Sequence, residues 1–182
     1  FEAYQLSYSD IRNTSSFAFL STKDPWVTNA LKTCSLTVED ACSVATGFYS
    51  GNDGEYLRRS ESVTRGVKKY LAVDESEIFT DDLKHIKPLE GLDGARHWVP
   101  IVKGGNRRFH KHSEWFMDWS KEAIHDYRVE NKKRARFQNS QFYFSEGIGI
   151  PMVSSSAITG AMIDGRLFDQ SIVGVFPKEE FK

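Results

Sequence analysis

Short apolar runs separated by polar and glycine-rich stretches dominate the chain. Trp98-Val-Pro-Ile-Val102 and Ile172 to Phe176 are nearly continuous apolar runs that predict strands, the first edged or broken by Pro100, which has no N–H for a ladder. Val67 to Val73 predicts another. Gln141-Phe-Tyr-Phe144, Ile148 to Val153, Ala161-Met-Ile163 and Arg166-Leu-Phe168 are further strand-like runs, and Asp164-Gly165 between the last two is a hairpin signal.

Two segments carry helical spacing instead. Ser35 to Ala45 predicts a short helix with Thr37 as N-cap, Glu39 and Asp40 in the first turn and Gly47 soon after the end; Val38, Cys42 and Ala45 would form its buried stripe. From Ser120 to about Lys133, the spacing of Ala123, Ile124 and Tyr127 predicts an amphipathic helix with Trp119 stapling its start. Thr46 to Gly54, rich in Gly, Asn and Asp, is a loop. The class is α+β with a mixed or antiparallel sheet and short packed helices, and residues 1–182 are expected to be one domain with its core at about 24–176.

With 40% hydrophobic and 13% aromatic residues, five prolines and thirteen glycines among 182, disorder and low complexity are excluded. No apolar run approaches the roughly 20 residues of a membrane-spanning helix, so no membrane partner is expected. Two cysteines, Cys34 and Cys42, are too few for a disulfide scaffold, and no signal peptide is visible; a cytoplasmic location follows as the expectation. Cys42 reads as a small core residue rather than a nucleophile. The opening Phe1-Glu2-Ala3-Tyr4, without an initiator methionine, reads as a piece of a longer protein.

Charge changes the picture. The net charge is -1, yet residues 55–138 hold eighteen Lys/Arg against fourteen Asp/Glu, whereas residues 1–54 hold three against six and residues 139–182 three against five. Within the central block, Lys103-Gly-Gly-Asn-Arg-Arg-Phe-His-Lys-His112 contains Lys103, Arg107, Arg108 and Lys111 and no acid, and its two glycines let the backbone approach a ligand closely. A second cluster holds Arg128, Lys132, Lys133, Arg134 and Arg136, and a third Arg58, Arg59, Arg65, Lys68 and Lys69. Convergence of the three on one face would suit a polyanion, and the interleaved Asn106, Phe109, Trp115 and Asn139 favour nucleic acid over lipid.

No dinucleotide fingerprint, Walker loop, nucleophile elbow or zinc-type cysteine pair occurs, and Asp24-Pro-Trp26 lacks the second proline of an amino-methylating motif. His110, His112 and Glu114 are the residues that a metal-dependent hydrolase would use; a protein-interaction domain would use the exposed basic helix. The aromatics Trp98, Trp115, Trp119, Tyr143 and Phe144 read as core rather than as stacking platforms for bases.

The order of motifs resembles the target-recognition domain of TaqI-like and PglX-like N6-adenine DNA methyltransferases, including the fused type II restriction-modification enzymes. The resemblance begins with Thr46-Gly47, Asn52, Tyr56, Leu57 and Arg58, and continues through Ile86-Lys-Pro88, Gly91 and Asp93. Trp98-Val-Pro100, Lys103-Gly-Gly105 and Arg107-Arg108 follow, with Trp115 and Trp119; Arg136, Asn139, Tyr143-Phe144, Gly147-Ile148, Val153 to Ser155, Arg166 and Phe168-Asp169 complete it. It implies double-stranded DNA as a partner, together with a methyltransferase domain of the same polypeptide that binds S-adenosylmethionine. The present chain would then hold no catalytic, cofactor or metal residues of its own. Lys103, Gly104, Gly105, Arg107, Arg108 and Lys111 are expected to grip phosphates, since cations and glycine amides suit phosphate oxygens. Arg58, Arg136 and Asn139 are expected to read bases, because guanidinium pairs with guanine and carboxamide with adenine.

Overall fold

A computed structural model describes residues 8, 12, 26, 29–30, 33–64, 69–104, 113–130, 134–153 and 159–181. The chain divides into two compact units, Phe1–Ala41 and Cys42–Lys182.

In the first unit, one turn of helix, α1 (Val38–Ala41), is closed at its start by a reciprocal pair: the Thr37 N–H donates to Asp40 Oδ2 at 2.7 Å and the Asp40 N–H to Thr37 Oγ1 at 3.3 Å. The cap and the acidic first turn fall where expected. The rest of the expected helix does not form, because Cys42–Thr46 is strand β1 of the second unit, and Val38 is exposed. Helical spacing loses here to pairing: β1 is antiparallel to the last strand, β8 (Ile172–Pro177), from Cys42 opposite Pro177 to Thr46 opposite Val173.

The second unit is α+β. Its first sheet has the order β1, β8, β5 (Ile148–Pro151), β6 (Ala161–Met162), with every neighbour antiparallel. Its second has the order β2 (Leu57–Arg59), β4 (Trp115–Asp118), β3 (Trp98–Val102), β7 (Leu167–Phe168), antiparallel except for the parallel pair β3–β7. Three short helices accompany them: α2 (Asp53–Tyr56), α3 (Leu83–Ile86) and α4 (Lys121–His125), the last widening into a π-helical turn at Asp126–Glu130. Ser120 caps α4, its hydroxyl accepting from the Ala123 N–H at 3.2 Å, and Ala123, Ile124 and Tyr127 form the expected buried stripe.

Pro100 lies in a central strand. The carbonyls of Trp98 and Val102 accept on one side of β3, from the N–H groups of Phe79 and Asp169. Pro100, midway between them, turns its missing N–H to that same side, before the ladder with β7 begins at Ile101. The strand therefore loses no ladder bond.

Three strand expectations are corrected. Gln141 to Phe144 is not a strand: Asn139, at φ 57, opens a 3₁₀ turn at Ser140–Phe142. Asp164-Gly165 does form a turn, with Gly165 at φ 63, but β6 and β7 on either side of it belong to different sheets, so it is a crossing and not a hairpin. Of Val67 to Val73, residues 67–68 lie outside the described residues; the described part pairs only through a single bridge of Ala72 to Arg59.

The main core lies between the sheets and is aromatic. Phe48 meets Trp119, Tyr127 and Tyr143 edge-on, with ring centroids 5.5, 4.9 and 6.2 Å away, and all four are fully buried. Gly47 makes this packing possible, because a Cβ there would lie 2.0 Å from the Phe168 carbonyl oxygen that accepts the Phe48 N–H. The second sheet is covered on its other face as well, by a smaller cluster of Val73, Trp98 and Phe116 with Ile78 against it. The first sheet is not. Register places Val44, Val175, Ile148 and Met162 in one row across all four strands of its outer face, and Thr46, Val173 and Ile150 in the next. Among the described residues none of these packs into either cluster.

Candidate functional site

Lys103 follows β3 directly, and its ammonium is half-buried and paired within the protein. Nζ donates to Asp53 Oδ2 at 2.7 Å and to Asp169 Oδ2 at 3.0 Å; Asp53 is the first residue of α2, and Asp169 is a buried residue just past β7. The carboxylates are held in turn: the Ser50 hydroxyl donates to Asp53 Oδ1 at 2.8 Å and the Ser171 N–H to Asp169 Oδ1 at 2.9 Å. Burial pulls the Lys103 pKa down, but Asp169 and Asp53 outweigh it, and the net shift is upward. Lys103 thus ties three elements together, and its charge is met from within.

Gly104 follows directly. It is exposed, at φ 76, with nothing within 4 Å of where a Cβ would stand. Gly105, Arg107, Arg108 and Lys111 lie outside the described residues, as do His110 and His112. Glu114 is described, and its carbonyl accepts from the Ser60 N–H at 2.8 Å. Among the described residues no three His, Cys, Asp or Glu side chains are grouped to hold a metal ion, and no helix is long and apolar enough to cross a membrane.

The three expected base readers are placed differently from one another. Arg58 lies with its guanidinium carbon 4.8 Å from the centre of the Trp98 ring and donates to the carbonyls of Glu55 and Leu57 at 2.9 and 3.2 Å. Asn139 donates its amide to the Thr46 carbonyl at 3.0 Å, pinning the 3₁₀ turn to the end of β1. Arg136 is exposed, and its backbone is fixed by an antiparallel bridge to Tyr49, whose carbonyl accepts from the Arg136 N–H at 2.8 Å.

Gly104 and Arg136, far apart in sequence, line one open cleft of about 530 Å³. Its other walls come from Thr46 and Gln138, from Pro151 at the end of β5 with Met152 and Val153 after it, and from Gln170 and Ser171 before β8. Among the described residues, Arg136 is the single charged one in this lining. Asp169, next to Gln170, is turned inward to Lys103. Gln138 donates its amide to Thr46 Oγ1 at 3.0 Å and to the Gly47 carbonyl at 3.2 Å, so it acts as wall. Sequence reading missed Thr46, Gln138, Met152, Gln170 and Ser171 as site residues. The one available signal was that the apolar run from Ile148 continues to Val153, past the end of the strand at Pro151.

Many described cations outside the cleft are engaged internally. Arg59 donates to the carbonyls of Tyr70, Ser60 and Val63. Arg128 grips Glu90 at 2.8 Å and lies over Phe137 at 4.3 Å. Lys84 stands 3.0 Å from both Glu146 and Asp164, and Lys121 is 2.6 Å from Asp93. Positive sequence clusters are therefore partly scaffolding. The aromatic residues that carry the resemblance are interior: Tyr56, Trp98, Trp119, Tyr143, Phe144 and Phe168 are buried, and Trp115 is half-buried. In comparisons with known proteins, no family model and no curated protein matches this sequence.

Proposed function

We propose that this chain is a DNA sequence-recognition module that directs N6-adenine methylation by a separate methyltransferase domain of the same polypeptide, where S-adenosylmethionine and the catalytic groups reside. The observation that carries this reading is the meeting of Gly104 and Arg136 on one cleft that holds no acid among its described residues. An exposed glycine in a left-handed turn at the root of a basic segment and an exposed arginine on a bridged backbone are complementary tools. The first lets a backbone close on phosphates, and the second presents a planar donor fork to a guanine edge. The motif order from Thr46-Gly47 to Phe168-Asp169 supports the same reading. Within it, Lys103 is an anchor for the glycine segment, and phosphate gripping falls to Arg107, Arg108 and Lys111.

Titrating mixed-sequence duplex DNA against the chain over a range of salt concentrations tests the proposal. Binding should be weak, and its logarithm should fall linearly with the logarithm of salt concentration. Replacing Arg107 and Arg108 together by Ala should flatten the slope by roughly one unit per lost phosphate contact, equally for all sequences. Binding that ignores salt, or no binding at low salt, would refute the reading.

A further inference from the structure

Two large apolar side chains, Met152 at 56% and Val153 at 88% exposure, stand in the same cleft as Arg136. The fold places Met152: its N–H donates to the Ser171 carbonyl at 2.9 Å, prolonging the β5–β8 ladder by one bond past Pro151, and Val153 follows it. Opposite them, the Arg136 backbone is held by its bridge to Tyr49. The cleft thus sets an arginine on a bridged backbone beside an apolar wall, with no carboxylate among the described residues of its lining.

Covering apolar surface is favourable in water, and a ligand that satisfies both parts of the cleft brings hydrogen-bond acceptors for the arginine and an apolar group for the wall. The inference rests on the DNA reading above. In the major groove of unmodified DNA, the one apolar group displayed at a base edge is the C5-methyl of thymine, while guanine presents two acceptors to an arginine fork. We propose that Met152 and Val153 read thymine by contact with its methyl group, next to a guanine read by Arg136, so that the cleft selects a step containing both bases.

The test uses the full chain and two random-sequence duplex pools of the same design, one made with thymine and one with deoxyuridine, which lacks only the methyl group. Duplexes enriched from the thymine pool should contain guanine beside thymine. Remade with deoxyuridine, they should bind about fourfold more weakly, the loss expected for one methyl group left exposed. The double variant Met152→Ser with Val153→Ser should bind both versions alike, and Arg136→Ala should relax the guanine preference. Salt-sensitive binding with equal affinity for thymine and deoxyuridine duplexes would overturn the thymine assignment while leaving the DNA reading intact. Absence of any salt-sensitive binding would overturn both. Because the wild-type ratio is decisive by itself, a poorly folding variant would not blunt the test.

Discussion

The two sheets of the second unit use similar residues under different conditions. In the second sheet, Trp98, Val99, Ile101 and Val102 are all buried, with the aromatic core on one side and the cluster of Val73, Trp98 and Phe116 on the other. In the first, Ile172, Gly174 and Phe176 of β8 face the core, and the alternate positions Val173 and Val175 are no more polar, although the face they share with Val44 and Ile148 is open among the described residues. Apolar residues on both faces of a strand therefore do not by themselves show that both faces are covered. β-branched side chains also serve the extended backbone, because they fit a pleated surface.

The largest effect should come from the core that backs both sheets. Phe48→Ala should cost about 3–5 kcal/mol, since it removes a ring in contact with Trp119, Tyr127 and Tyr143. Chemical denaturation measures this, and a cost under about 1 kcal/mol would mean that the two sheets do not share one core.

An intermediate effect is expected at Lys103, which joins the end of β3 to the turn before β8 and so links the sheets. Lys103→Met should cost about 2 kcal/mol, chiefly by leaving two carboxylates without their cation. The linkage also has a pH signature. The Lys103 pKa is raised in the fold, so its contribution is complete below the ordinary lysine value of 10.5 and is lost as pH rises through the folded value. Tyr56 acts in the same direction: burial first, then its hydrogen bond to Asp126, push its phenol up from 10.0 to about 12. Between those values the unfolded chain ionises and the fold does not. Stability should fall with pH above about 10, less steeply in Tyr56→Phe. Denaturation midpoints recorded from neutral to strongly alkaline pH check the sign, and a rise in stability above pH 10 would contradict it.

The smallest effect belongs to the open face. Val44→Thr and Ile148→Thr should each change stability by no more than about 0.5 kcal/mol, since both side chains are exposed and threonine keeps the β-branch. A cost above about 1.5 kcal/mol for either would show that the face is covered after all, which would dissolve the contrast between the sheets.

What could be read in the sequence was what local chemistry decides. Trp98–Val102 and the run at Ile172 were legible because continuous β-branched and aromatic residues have few alternatives. The start of α4 was legible because Ser120 and the Ala123, Ile124, Tyr127 stripe agree. Cys42–Thr46 was misread because its spacing with Val38 imitates a helix, and its partner lies at the other end of the unit. The Gln141 run was misread because nothing in its composition reveals that Asn139 adopts a left-handed turn. At the candidate site, the residue types around Gly104 and Arg136 were legible, but their meeting was not. Nor was the fate of Lys103, since its carboxylate partners stand 50 and 66 residues away.

The pairing of β1 with β8 has a mechanical consequence. Cys42, the first residue of the second unit, lies opposite Pro177, so the start of β1 and the end of β8 stand at the same end of one antiparallel pair. Tension applied through those two ends pulls the strands apart in an unzipping direction, loading the ladder one rung at a time instead of sharing the force among all rungs. Resistance to stretching should therefore be small however stable the aromatic core is to heat, and force should peel β1 away before it reaches the cleft.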